Sequence, residues 1–151
     1  GRAKNLKAFQ QNRDSFGKIC YSINGPTLLR DGTITACCNE SIVLHEGPKQ
    51  LHMKYQGDFQ QTLEKLQSQP LLGYLRKLSP TILYSLASHC LDHKERPATQ
   101  TLCQACWRFI DLYTKMNDHQ KETFARTAEI YLEIQTASPK ETPTISSTIP
   151  G

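Results

Sequence analysis

The sequence predicts an α+β fold, in which a small β-hairpin is followed by a mostly helical segment and the whole is closed by a metal site. A strong turn signal, Asp31-Gly32, lies between two short runs of strand-forming residues. From residue 58 onward, apolar residues recur at helical spacing in several segments. Cys103 and Cys106 stand at the start of one of these segments, and a C-x-x-C pair supplies half of a typical metal site.

The hairpin is predicted over residues 18–37. Residues 18–23 alternate in the manner of a short strand, and Asn24-Gly25-Pro26 is a turn signal. Residues 27–30 follow this turn, and residues 33–37 form the return strand after Asp31-Gly32. Antiparallel pairing brings facing residues within a few ångströms of each other. We therefore expect Cys20 and Cys37 to lie near enough to share a metal site.

Residues 39–57 are predicted to be a loop, and five helices are predicted after it. Asp58, with a glutamine three positions later, has the pattern of a capping box, and Ser79-Pro80 has the pattern of an N-cap followed by proline at the first helical position. A polar loop over residues 91–101 separates the third helix from the fourth. The predicted helices cover residues 58–68, 70–78, 80–90, 104–116 and 118–135.

Residues 1–135 are predicted to form one folded domain, and residues 136–151 a disordered tail. Three prolines among serines and threonines in the last segment cannot form a packed apolar face. The formal net charge of +4 is scattered, and no apolar run approaches the length of a membrane span. The start of the chain lacks the apolar segment of a signal peptide. We therefore expect a cytoplasmic protein that binds neither nucleic acid nor a membrane.

The six cysteines allow either disulfide bonds or metal ligation. Metal ligation is favoured in the absence of a signal peptide, because disulfides persist mainly in oxidising compartments. A thioredoxin-like redox pair is disfavoured, since Cys103 and Cys106 follow a polar loop instead of a strand. Backbone amides at the start of a helix also favour the thiolate form that binds metals.

One completion of the metal site takes its other two ligands from the hairpin. Cys20 supplies one of them, and either Cys37 or the adjacent Cys38 supplies the other. Side chains on a strand alternate between its two faces, so only one of these neighbours can point toward the site. Both neighbours therefore stay open as the fourth ligand at this point.

A second completion uses Cys90 and His93 with Cys103 and Cys106. This C-x-x-H and C-x-x-C combination is a ligand set of small structural zinc modules. It would make the chain a zinc-binding structural or interaction module. It leaves the cysteines of the hairpin without a role, and Cys90 also continues the apolar face of the third helix.

Several motifs occur in a fixed order along the first 115 residues. Gly1-Arg2-Ala3 is followed by Cys20, then by Asp31-Gly32 with four residues before Cys37-Cys38, then by a helix entered at Gly57-Asp58, and finally by Cys103-x-x-Cys106. In this order they resemble the C-terminal auxiliary iron–sulfur domain of radical S-adenosylmethionine enzymes, of the SPASM or shorter twitch type. The resemblance to the twitch type is the better one, because the chain lacks the further cysteines of a second cluster.

The resemblance implies that one [4Fe-4S] cluster is held by Cys20, Cys37, Cys103 and Cys106, with Cys38 as the alternate to Cys37. Such a domain supports electron transfer or substrate positioning in the modification of peptides or small molecules. The radical-generating motif C-x-x-x-C-x-x-C is absent from this chain. The resemblance therefore implies that S-adenosylmethionine binds only in a catalytic barrel, in the same or a partner chain. A reductant protein and a peptide substrate are the other expected partners.

Overall fold

The structure is a computed structural model that describes residues 17–44, 46–55, 57–92 and 101–137. Within these ranges the chain has the predicted α+β fold, with a small three-stranded antiparallel sheet followed by mostly helical structure. Three parts of the sequence interpretation lie outside the described residues: Gly1-Arg2-Ala3, residues 93–100 of the predicted polar loop, which include His93, and residues 138–151.

The sheet contains the predicted hairpin and one further strand. Its strands are β1 (Thr27–Leu28), β2 (Thr33–Thr35) and β3 (His52–Lys54), in the spatial order β1-β2-β3. Ile34 on the central strand lies opposite Leu28 on one side and Met53 on the other. Because both edges of β2 are paired, Ile34 is completely buried and ties the sheet to the core.

The turn at Asp31-Gly32 is present, but the hairpin loop has three residues, Arg30–Gly32, and not two. The Leu29 amide donates to the Thr33 carbonyl at 2.8 Å, and the Gly32 amide donates back to the Leu29 carbonyl at 3.0 Å. Gly32 has a φ of 77°, in the left-handed region that a three-residue hairpin loop requires at this position. The Asp31 carboxylate accepts hydrogen bonds from Thr33 and from Lys54, so it also links the loop to β3.

The strand predicted over residues 18–23 is wrong, because Tyr21–Asn24 forms a short 3-10 helix. In this turn Ile23 is 3% exposed and Tyr21 is 82% exposed. The alternation in the sequence therefore reflects a turn that buries one side chain. The Gly25 amide closes the turn by donating to the Ser22 carbonyl. Both edges of β2 are already occupied, so this segment has no place beside the central strand.

The loop predicted over residues 39–57 contains three short elements that the sequence does not indicate. They are helix α1 (Glu40–Val43), a 3-10 helix at Lys49–Leu51, and strand β3. The sequence of β3, His-Met-Lys, has no β-branched or aromatic residue, so its local propensity for a strand is low. Pairing with β2 and the complete burial of the preceding Leu51 hold it in place.

The five predicted helices are present, with ends shifted by up to two residues. They are α2 (Phe59–Gln67), α3 (Pro70–Lys77), α4 (Pro80–Cys90), α5 (Leu102–Lys115) and α6 (Asp118–Ala137). Asp58 caps α2 as expected, accepting from the Gln61 amide at 3.0 Å. Thr101 caps α5 by accepting from the Gln104 amide at 3.1 Å, which starts this helix two residues earlier than predicted. No helix among the described residues is long and apolar enough to cross a membrane.

The helical core is built on α5, which packs against α3 and α4, while α4 also packs against α6. An aromatic cluster fills the space between them, with the Phe124 ring centroid 5.0 Å from that of Tyr74 and 5.5 Å from that of Phe109. Phe109 and Phe124 are completely buried. This packing fixes the position of α5, and thereby the direction in which its first turn presents Cys103 and Cys106.

Candidate functional site

Four of the six cysteines line a single cavity between the hairpin region and the first turn of α5. We call it the cysteine cavity; its cysteines are Cys20, Cys37, Cys103 and Cys106. Its volume is about 50 Å³, and all four side chains are free thiols. The remaining lining is mostly apolar, with Asn39 and Ser22 as its polar side chains, and is completed by Ile23, Leu51, Leu75, Leu102 and Trp107.

The four cysteines reach the cysteine cavity from three different structural settings. Cys20 directly precedes the 3-10 helix at Tyr21–Asn24. Cys37 follows β2 by two residues and is 8% exposed, and its carbonyl accepts a hydrogen bond from the Thr35 hydroxyl at 3.0 Å. Cys103 and Cys106 lie in the first turns of α5, and residues three apart on a helix share one face. The four therefore come from three separate segments of the chain.

Cys37 and its neighbour Cys38 have different surroundings. Cys37 is buried and lines the cysteine cavity, whereas Cys38 is exposed and is not among the lining residues. The return strand predicted over residues 33–37 ends at Thr35, so both cysteines lie beyond β2. Cys37 is therefore the member of this pair that the cavity brings together with the other three cysteines.

The ligand set of the zinc alternative is not brought together among the described residues. Cys90 is the last residue of α4 and does not line the cysteine cavity. Burial raises the pKa of its thiol, and a side-chain hydrogen bond with Thr127 of α6 opposes that rise. His93 lies outside the described residues. Cys90 thus belongs to the contact between α4 and α6.

Three thiols of the cysteine cavity have raised pKa values, which favours their neutral form. Burial raises the pKa of Cys37, Cys103 and Cys106, and the nearness of the other thiols raises each of them further. The effect is largest for Cys106, which is influenced by all three of its partners. A bound cation would reverse this balance, because metal ligation stabilises thiolates and releases their protons.

Asn39 donates hydrogen bonds toward two of the four sulfurs. Its side-chain amide nitrogen lies 3.4 Å from the Cys103 sulfur, and its backbone amide hydrogen-bonds the Cys37 thiol, which opposes the rise in the pKa of that thiol. Sequence analysis missed this residue. Asn39 stands three positions before Ile42, and its contact with Cys103 joins segments that are distant in the sequence.

Trp107 separates the cysteine cavity from an outer groove of about 370 Å³. The indole lines both spaces, and Gly47 and Pro48 form part of the groove on its outer side. A Cβ atom added at Gly47 would lie 3.0 Å from the Trp107 ring and 2.9 Å from Ile42. This close approach requires glycine and keeps the indole pressed against the loop, where it limits access of solvent to the cavity.

Among the residues that the structure describes, no group of three or more His, Cys, Asp or Glu side chains could hold a metal ion. The four cysteines line one shared cavity. Four cysteine sulfurs around one cavity are nevertheless the donor set of an iron–sulfur cluster, in which the sulfurs bind separate irons.

Comparisons of the chain with protein-family models, with curated proteins and with solved structures found no match. The function is therefore argued from the geometry and chemistry of the cysteine cavity.

Proposed function

We propose that this chain is an auxiliary [4Fe-4S] cluster-binding domain of a radical S-adenosylmethionine enzyme, with Cys20, Cys37, Cys103 and Cys106 as the ligands. The observation that carries the proposal is that four cysteines from three separate segments line one cavity. The order and spacing of the hairpin and C-x-x-C motifs add to it.

The donor set and its surroundings fit this group. Four thiolates satisfy one cluster, and when bound, such a cluster exchanges one electron without binding substrate directly. Trp107 and the apolar lining restrict water, while Asn39 supplies hydrogen bonds to sulfur.

The proposal assigns radical generation to another part of the enzyme. This chain contains no C-x-x-x-C-x-x-C motif, so S-adenosylmethionine would bind in a catalytic barrel of the same or a partner chain. The role of the domain would be electron transfer or substrate positioning during the modification of a peptide or small molecule. A reductant protein would be a further partner, and the cytoplasm the compartment, since reducing conditions preserve free thiols.

Anaerobic reconstitution with iron and sulfide tests the proposal. We expect the full chain to become brown and to bind about four irons per chain. Cys20→Ser, Cys37→Ser, Cys103→Ser or Cys106→Ser should each lower the iron content, because each removes one thiolate. The measurement is iron and sulfide analysis together with the visible absorption spectrum.

Cys38→Ser and Cys90→Ser are the matched controls, since these cysteines do not line the cysteine cavity. Both variants should retain the full iron content. Colourless protein that holds one zinc, is insensitive to Cys20→Ser and loses the metal on Cys90→Ser would overturn the proposal in favour of a zinc module. Loss of iron in Cys38→Ser but not in Cys37→Ser would overturn the assignment of Cys37.

A further inference from the structure

We propose that Asn39 is a positioning residue that sets the reduction potential of the cluster, by donating hydrogen bonds to sulfurs on both sides of the cysteine cavity. The inference rests on the proposed function and deepens it. It assigns to a non-cysteine residue the control of how readily the bound group accepts an electron.

Asn39 is the polar residue that joins the two halves of the cavity. Its backbone amide donates to the thiol of Cys37, which follows the hairpin. Its side-chain nitrogen lies 3.4 Å from the sulfur of Cys103, which belongs to α5. These two cysteines are far apart in the sequence. One residue therefore donates to sulfurs that only the folded chain brings together.

The orientation of the Asn39 amide is fixed by its other hydrogen bond. The side-chain oxygen accepts from the Ser41 amide at 3.1 Å, and the Asn39 carbonyl accepts from the Val43 amide at 3.0 Å. Asn39 thus caps the short helix α1. Because the oxygen is engaged by Ser41, the nitrogen is the end that faces Cys103.

A donor aimed at sulfur stabilises the state with more negative charge on that sulfur. Reduction adds one electron to a cluster whose charge is shared with its thiolates, so N–H donors favour the reduced form and raise the potential. The cavity lining is otherwise mostly apolar, with the Ser22 hydroxyl and the Trp107 indole N–H as its other polar side-chain groups. Few donors compete there, so the loss of one should be measurable.

Asn39→Asp is the variant that should change the reduction potential most. Aspartate keeps an oxygen that can accept from Ser41, but it replaces the donor at Cys103 by a negatively charged oxygen. Asn117→Asp is the matched control, because Asn117 also caps a helix, accepting from the Gln120 amide at 2.8 Å, and does not line the cysteine cavity. Both variants add the same charge at a helix N-cap.

The measurement is a redox titration of the reconstituted full chain. For Asn39→Asp we expect the ratio of reduced to oxidised cluster at the wild-type midpoint to fall about tenfold, equivalent to about 59 mV for a one-electron couple. Asn39→Ser, which keeps a capping oxygen and adds no charge, should shift the potential in the same direction by less. Asn117→Asp should leave the potential unchanged. Equal potentials in Asn39→Asp, Asn39→Ser and the wild type would overturn the inference.

If Asn39→Asp fails to fold, the potential of Asn39→Ser decides. Wild-type protein that takes up no iron would overturn the proposed function and this inference with it. Normal iron uptake with unchanged potentials would overturn the inference alone.

Discussion

At the scale of single residues, the cysteine cavity is also shaped by side chains other than cysteines. Asn39 reaches two sulfurs, and Trp107 closes the side that faces the outer groove. The cysteines were identifiable from their spacing, because the C-x-x-C pair and the Gly-x4-Cys pattern are visible in the sequence. Asn39 and the packing of Gly47 on Trp107 were not predicted, since each depends on a contact between segments distant in sequence.

Gly47→Ala tests the contact that holds Trp107. Gly47 has a φ of 90°, and an added Cβ would lie within 3.0 Å of the indole. We expect the variant to lose free energy of unfolding both from backbone strain and from overpacking, the second contributing about 1–3 kcal/mol. Chemical denaturation of the metal-free protein measures this loss.

Gly57→Ala is the control for Gly47→Ala. Gly57 also has a φ of 90°, but a Cβ added there meets nothing within 4 Å. This variant should therefore show the backbone strain alone. Equal losses in the two variants would contradict a tight contact between Gly47 and Trp107.

At the scale of elements, the helices and the hairpin were predictable, whereas β3 and the 3-10 helix at Tyr21–Asn24 were not. The predicted helices carry long apolar periodicities, and Asp58 and Asn117 mark their starts. In contrast, β3 has three residues with little strand propensity and depends on pairing with β2. The segment at Tyr21–Asn24 has a strand-like pattern but lacks a free edge of the central strand. Pairing is a tertiary property, which a local pattern does not reveal.

Thr101→Ala tests the start of α5, which carries two of the cavity cysteines. Its hydroxyl accepts from the Gln104 amide, and loss of such a cap costs about 1 kcal/mol. We also expect faster alkylation of Cys103 in metal-free protein, because the first turn would fray. Denaturation and site-resolved mass spectrometry measure the two effects.

Asp58→Ala removes an equivalent cap from α2, a helix without cysteines. It should lower the free energy of unfolding by a similar amount and leave the alkylation rate of Cys103 unchanged. If the two variants changed Cys103 equally, the cap at Thr101 would have no particular influence on the cysteine cavity.

At the scale of the whole molecule, the stability of the metal-free protein depends on three thiols with raised pKa values, those of Cys37, Cys103 and Cys106. Their pKa values lie above the ordinary value of 9.0, mainly because of burial. Below pH 9.0 both the folded and the unfolded chain hold these protons, so the thiols make their full contribution to the free energy of unfolding. Above it the unfolded chain releases protons that the folded chain still holds, and stability falls as pH rises.

We therefore expect metal-free protein to lose stability as the pH rises above 9.0, by up to about 1.4 kcal/mol per pH unit for one thiol. Urea denaturation at a series of alkaline pH values measures the slope. Cys106→Ser should make the slope shallower, because a serine hydroxyl does not titrate in this range. An identical slope in this variant would contradict a strongly raised pKa at Cys106.

Along the chain, Cys37 comes before α2, α3 and α4 and Cys103 comes after them, yet both cysteines line the cysteine cavity. Any cofactor bound by both cysteines would tie these three helices into a covalently closed ring, since the chain runs from one ligand through all three helices to the other. A cross-link of this kind restricts the unfolded chain in the way that a long disulfide loop does. A protease cut in the turn between α2 and α3 would then leave one connected molecule while the cofactor is bound, and two separable pieces once it is removed.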